Sequence, residues 1–232
     1  MEFTKSLIKG KLVKRYKRFF ADIKVNKEII TAHCPNTGSM MGLLEKGNKV
    51  WVTKTINPNR KLKYTLQIIE VKKNKVGVNT HLTNKIVLEA LEENYINLFG
   101  KNKKIQPEKK FGKDTRFDFY IESKNIKSFI EVKNVTLLRN LFTAEFPDAK
   151  TSRGLKHLHS LIEANKLGYR IYLIFVIQRE NCDKFKIAQD LDPAYANLLT
   201  IAMKNNLKVI CYDCKFSSKG IKLNKQIKFQ NE

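Results

Sequence analysis

From its first residues to about position 80, the chain reads as short apolar or alternating runs. They are Phe3 to Val13, Phe19 to Val25, Glu28 to Ala32, Lys49 to Thr55, Leu66 to Glu70 and Val76 to Asn79. Between them lie Asn26-Lys27, Pro35-Asn36-Thr37-Gly38, Lys46-Gly47-Asn48 and Asn57-Pro58-Asn59. These residues favour the tight backbone geometries that reverse a chain, so the runs they bound are expected to be strands. Five or six strands at this spacing predict a small barrel of the oligonucleotide-binding (OB) type.

Beyond residue 80 the period changes. Val87, Leu91, Tyr95 and Leu98 recur at helical spacing, which predicts a helix over 81–99 with Gly100 as its stop. The Lys-rich stretch 101–110 reads as a loop, followed by strands at Phe117 to Glu122 and Ser128 to Val135. Ser152 to Leu167 is a helix ended by Gly168. Ile171 to Gln178 is a continuous β-branched run, the signature of a strand covered on both faces. Asp192-Pro193 opens a helix to Asn205, Leu207 to Cys214 returns as a strand, and the basic tail from Lys215 is an edge strand or a frayed end. The expected architecture is an OB-like barrel at 1–80 and an α/β domain, ordered α-β-β-α-β-α-β, at 81–232.

Composition adds a partner to this picture. The chain of 232 residues carries 45 Lys+Arg against 22 Asp+Glu, a formal charge of +23. Such self-repulsion is relieved by a polyanion. The excess is not uniform. Residues 1–25 hold Lys5, Lys9, Lys11, Lys14, Arg15, Lys17, Arg18 and Lys24 against Glu2 and Asp22, whereas 86–100 holds Glu89, Glu92 and Glu93 and no base. A concentrated basic face in the N-terminal half fits nucleic acid, DNA in the first instance, with single and double strands both open. Arg15-Tyr16-Lys17-Arg18-Phe19 interleaves bases and rings, as a surface that meets phosphates and stacks on bases needs.

Cys34, Cys182, Cys211 and Cys214 are too few and too uneven for a disulfide framework, and Cys211-x-x-Cys214 lies in an apolar run that reads as buried strand. Trp51, between Val50 and Val52, is expected inside the barrel, and His33 and His81 to be structural. Met1 to Gly10 lacks the apolar segment of a signal peptide, and Ile171 to Ile177 is too short to span a bilayer. A cytoplasmic protein without a membrane partner is the expectation, with a homo-oligomer left open.

Two neighbouring strands set acids beside a lysine. Glu131 and Lys133 share one face of their strand by its period of two, and a hairpin brings Asp118 alongside. Two carboxylates and a lysine suffice for phosphodiester hydrolysis: the carboxylates hold Mg²⁺ or Mn²⁺, and the lysine orients water or stabilises developing charge. This D-(x)n-E-x-K arrangement between helices resembles the PD-(D/E)xK nuclease core. There Asp118 and Glu131 would bind metal and Lys133 would be catalytic. Glu89 on the preceding helix is the choice for a further metal ligand, and Arg116, Arg153, Lys156 and His157 for contacts to DNA.

Longer strings carry a closer resemblance. They are Lys14 to Phe19 with Ala21-Asp22, His33-Cys34-Pro35-Asn36-Thr37-Gly38-Ser39-Met40, Val78-Asn79-Thr80, Arg116 to Phe119 and Ile130 to Leu137. Phe146-Pro147-Asp148-Ala149, Arg153-Gly154 with Lys156-His157-Leu158, and Asp192, Tyr195 and Ala196 complete it. With these, the chain resembles the sugar fermentation stimulation protein A family. The resemblance implies an OB-like domain followed by a PD-(D/E)xK-like domain, DNA binding, and a regulatory link to sugar metabolism that no residue here explains.

Overall fold

The computed structural model describes residues 1–230. The first six strands are β1 (Ile8–Tyr16), β2 (Phe20–Val25), β3 (Glu28–His33), β4 (Lys49–Lys54), β5 (Tyr64–Val71) and β6 (Asn74–Gly77). They pair in the order β3-β2-β1-β4-β5-β6. A short parallel pairing of Ala32 with Tyr64 and His33 with Thr65 joins β3 to β5 and closes the barrel. Its inside is filled by Leu12, Ile23, Val50, Val52, Leu66 and Ile69. Gly10 is obligatory on β1, because a Cβ there would come within 2.6 Å of the Ile23 side chain.

Trp51 departs from expectation. On β4 it faces away from the barrel interior and packs against the apolar cluster of the second half of the chain. Val50 and Val52 point inward, so the strand's alternation sends Trp51 out.

The second half begins with a 3₁₀ turn at Thr80–Leu82 and helix α1 (Thr83–Glu92). The helix is shorter than its period suggested. Asn94 takes a left-handed φ of 57°, and the chain turns Ile96 and Phe99 inward while Tyr95 and Leu98 stay about half exposed.

A six-stranded sheet follows, ordered β15-β14-β12-β9-β8-β7. Its members are β7 (Lys104–Phe111), β8 (Thr115–Ser123), β9 (Ile126–Val135), β12 (Arg170–Ile177), β14 (Lys208–Phe216) and β15 (Ile221–Gln226). Strand β7 occupies the stretch expected to be a loop. Its lysines and Pro107 are what an edge strand uses to discourage further pairing. β9, β12 and β14 are parallel, linked by α2 (Ser152–Lys166) and α3 (Pro193–Lys204). Asp192 caps α3 by accepting from the Tyr195 N–H at 3.1 Å. The basic tail forms the opposite edge, β15.

Four short strands, β10 (Leu137–Asn140), β11 (Thr143–Phe146), β13 (Lys184–Ile187) and β16 (Lys228–Gln230), make a small side sheet that the period does not reveal. α1 covers one face of the large sheet, over Ile130, Val132, Ile174 and Val176. α2 and α3 cover the other, over Phe129, Val135, Leu173 and Phe175. Among the described residues, no helix is long and apolar enough to cross a membrane.

Candidate functional site

Strand β9 is buried on both faces, yet it carries a carboxylate and a lysine. Glu131 is 2% exposed, on the α2 side between Phe129 and Val135. Its Oε1 accepts from the Lys133 ammonium at 2.6 Å and also contacts His157 Nδ1, which α2 lowers onto it. Lys133 Nζ lies 3.5 Å from the same imidazole nitrogen. Burial alone would push the Glu131 carboxyl up, but the Lys133 charge and the His157 contact outweigh it and hold the group below its ordinary range. Among the described residues its second oxygen, Oε2, is buried without a hydrogen-bond partner.

Asp118 reaches this place through a break in the sheet. Phe117 packs with the α2-side cluster, and Phe119, two positions on, with the α1-side cluster. A regular strand cannot send residues i and i+2 to opposite faces, so the alternation of β8 breaks at Asp118, where its pairing with β9 ends while its register with β7 continues. The neighbouring Glu108 on β7 takes a left-handed φ of 55° at the same level. The Asp118 carboxylate takes the place of a ladder acceptor: Oδ2 accepts from the Val132 N–H at 2.7 Å and Oδ1 from Asn84 Nδ2 at 2.7 Å. Burial and the nearby Glu131 charge push its pKa up to about 6, against the pull of these donors and Lys133. Two carboxylates crowded into one dry place repel each other, and a cation between them would remove that cost.

Asp118, Glu131, Lys133 and His157 are therefore brought together, and Glu89 is not. Glu89 sits more than one turn further along α1 than Asn84, where it binds the Met1 amino group at 2.5 Å and Lys222 at 3.2 Å. The helix's contribution to the site is Asn84, in its first turn, which no charge or period marks in the sequence. Among the described residues no three His, Cys, Asp or Glu side chains gather into a metal cage. Tyr195, on α3, is the other side chain that sequence reasoning left without a role. It is fully buried, its Oη has no partner among the described residues, and burial, then the charges of Glu131 and Asp192, hold its phenol well above the ordinary range.

The predicted DNA-contact residues are spread over both halves of the chain. Arg153 and Lys156 are exposed at the start of α2. Arg116 is exposed on β8, within 3.9 Å of Glu108. Lys17 and Arg18 form the β1–β2 turn, both with left-handed φ. Tyr16 stacks on Phe20 at 5.4 Å under the Lys14 ammonium. Arg15 turns inward and donates to the Asn36 and Gly38 carbonyls at 2.7 and 3.1 Å, so part of its charge is spent holding that loop.

The same loop docks on the second half of the chain. Asp148 accepts from the Met40 N–H at 3.1 Å and from Ser39 Oγ at 3.2 Å. Gly38 does not have positive φ; it is needed because a Cβ would meet Asp148 Oδ2 at 2.6 Å. Between these loops opens a cavity of about 520 Å³ that Arg15 and Arg18 line from one side and Lys150 and Thr151 from the other.

An OB barrel coupled to an α/β domain, with a buried acid–lysine–histidine cluster on a central strand, is the class that fold and site define. The chain belongs to the sugar fermentation stimulation protein family. Residues 13–78 match that family's N-terminal OB domain and residues 81–220 its sugar fermentation stimulation protein RE domain. A sugar fermentation stimulation protein homolog of Pelagibacter ubique is 58% identical over the full length of both chains. One from Pseudoalteromonas atlantica is 42% identical, covering 98% of each. The structure of Pyrococcus furiosus SfsA in complex with Ca²⁺ superimposes with a TM-score of 0.88 over 99% of this chain and 98% of that one. At 24% identity it speaks to the fold.

Proposed function

We propose that this protein binds DNA and hydrolyses its phosphodiester bonds at the Asp118–Glu131–Lys133 centre with a divalent cation. The observation that carries the reading is the buried, unpartnered Oε2 of Glu131 beside a second carboxylate of raised pKa. Hard cations take oxygen ligands, and Asp118 and Glu131 would hold Mg²⁺ or Mn²⁺ here. Such an ion, when bound, neutralises phosphate charge and makes water a better nucleophile at neutral pH. The Ca²⁺ in the similar Pyrococcus furiosus protein supports a divalent site in this fold.

The chain's own groups do the rest. Lys133 faces the same place as Glu131 and is positioned to stabilise charge developing on a phosphate oxygen. His157 holds Glu131 in orientation. Asn84 and the Val132 N–H fix Asp118 and leave lone pairs on both of its oxygens. Arg18, Arg153 and Lys156 would carry the strand's phosphates on either side.

A second reading has its own support. Lys133 and His157 both engage the same Glu131 oxygen, so the centre is closed on itself, as suits a DNA-binding module without turnover. One experiment separates the two: wild type and Asp118→Ala on labelled single- and double-stranded DNA with Mg²⁺, Mn²⁺ or EDTA. The nuclease reading expects metal-dependent cleavage that the variant loses while still binding. Binding by both proteins with no cleavage leaves the module; no binding by either removes both readings.

A further inference from the structure

The mouth of the barrel holds a second basic cavity, apart from the carboxylate centre. It encloses about 450 Å³, the size of a nucleotide rather than of an ion. It opens where β3 and β5 meet through only two residue pairs before they diverge.

Its floor is a chain of buried amides. Asn79 Nδ2 donates to Gln67 Oε1 and Gln67 Nε2 to Thr53 Oγ1, both at 2.8 Å. Asn79 Oδ1 accepts from the His81 N–H. Each amide is satisfied within the floor, so it presents a fixed polar surface rather than a demand for water.

The walls are basic. Lys5 comes from the N-terminal segment, His33 from β3, Lys54 from β4, Arg60 from the β4–β5 loop and His81 from the turn before α1. Among the described residues, no Asp or Glu lines the cavity. Among the described residues, Lys5, Lys54 and Arg60 make no ion pair; the side-chain bond recorded for Arg60 is to Thr65 Oγ1 at 3.3 Å. Basic residues elsewhere on this chain do find acids: Lys49 has Glu70, and Arg139 has Glu145 and Asp190. Burial, then the charges of Arg60 and His81, lower the His33 pKa, as expected where positive charge converges without a counter-ion.

We propose that this barrel mouth is a phosphate-binding site that takes a nucleotide phosphate, with Arg60 and Lys54 as its charged grip and His33 and His81 as neutral or protonated donors. The phosphate belongs either to a free nucleotide or to a nucleic-acid strand; the strand case rests on the DNA reading above. The site would then be a second anchor, on a different domain from the hydrolytic centre. Its link to that centre is short, since His81 precedes Asn84 by less than one helical turn.

The test is an NMR titration of the intact chain, following the imidazoles of its four histidines. The probes are inorganic phosphate, thymidine 5′-monophosphate, and a short thymidine oligonucleotide with and without a 5′-phosphate. Fluorescence anisotropy on the same samples reports oligonucleotide binding.

Thymidine monophosphate should shift His33 and His81 saturably and raise the His33 pKa, with His157 and His159 unmoved. Arg60→Gln and the exposed Lys54→Gln should each weaken it about tenfold, the value of one charge-assisted contact. If the 5′-phosphorylated oligonucleotide alone reproduces the shift, the source is a strand end; if both do, it is an internal phosphate. The proposal is overturned if no probe moves His33 and His81, or if Arg60→Gln and Lys54→Gln bind as wild type does. Oligonucleotide binding with both histidines unmoved sinks the pocket and leaves the DNA reading standing. Monophosphate shifts without oligonucleotide binding do the reverse.

Discussion

Replacing Tyr195 by Phe isolates one atom. The ring is held on several sides: it lies 5.3 Å from Phe146, and Gly154 of α2 approaches so closely that a Cβ there would come within 3.0 Å of it. Its backbone N–H is fixed by Asp192. Phe keeps all of this and removes only Oη, which is fully buried without a partner among the described residues. A buried polar group left unmet costs about 1–3 kcal/mol, while the methyl-sized gap left by a lost hydroxyl returns a fraction of that. The net expectation is a gain of about 1 kcal/mol, or roughly 2–4 °C in Tm for a chain of this size. Calorimetry of both proteins without metal, following the α/β domain's transition, measures it. The same variant should lose hydrolytic activity if the hydroxyl serves the bound phosphate, so stability and function would move in opposite directions. A Tm that falls by 2 °C or more refutes the reasoning, because it would show the hydroxyl to be satisfied in the resting protein.

Three further outcomes follow from particular contacts. Since the His33 pKa is depressed on folding, the unfolded chain binds more protons below the ordinary value of about 6.5, and stability is lost as pH falls through that window. The urea midpoint of wild type should therefore drop more between pH 7.5 and 5.5 than that of His33→Gln, and equal drops would dismiss the linkage. Gly38→Ala should cost about 1–3 kcal/mol by forcing its Cβ against Asp148, 2.6 Å away, and a thermal melt unchanged from wild type would show that the loops part without cost. Arg153→Gln and Lys156→Gln should each flatten the log–log salt dependence of duplex DNA binding by about 0.9, and a slope equal to wild type would remove α2 from the interface.

The barrel strands and the three helices were legible because each has one wet and one dry face, or a clear punctuation such as Asp192-Pro193 or Gly168. What stayed hidden had no such contrast. Strand β7 looks like a loop because an edge strand is polar by design, with Pro107 and three lysines in a row of eight. The end of α1 was misplaced because Tyr95 and Leu98 continue the helical period while Asn94 breaks it with a left-handed turn. Trp51 looks like core in any window, and only the strand's alternation against a second domain sends it to the seam. In the site, Asp118, Glu131 and Lys133 were readable as charges interrupting apolar strands. Glu89 was the natural extension of that logic, but helix α1 presents its first turn to Asp118, and Asn84 carries no charge to betray it.

The buried polar atoms left without partners among the described residues are Glu131 Oε2, Gln178 Oε1, Arg179 Nε and Tyr195 Oη. They are not scattered. Glu131 is on β9, Gln178 and Arg179 follow the end of its parallel neighbour β12, and Tyr195 faces Glu131 from α3. Gln178 and Arg179 also tie down the stretch of β9 just beyond Lys133, through Asn134 Oδ1 at 2.5 Å and the Thr136 carbonyl at 2.7 Å. Gly77 of the barrel makes room for Gln178, since a Cβ there would stand 2.3 Å from its Oε1. Unmet groups elsewhere in a core would be lost under selection for stability, because each is worth about 1–3 kcal/mol. Two of the four, Glu131 Oε2 and Tyr195 Oη, belong to the carboxylate centre, and the other two lie just past the end of β12 against Val76 and Gly77 of the barrel. Under the proposed function, a ligand at Glu131 would meet Oε2 and the Tyr195 hydroxyl already dry, which would lower the reorganisation needed on binding.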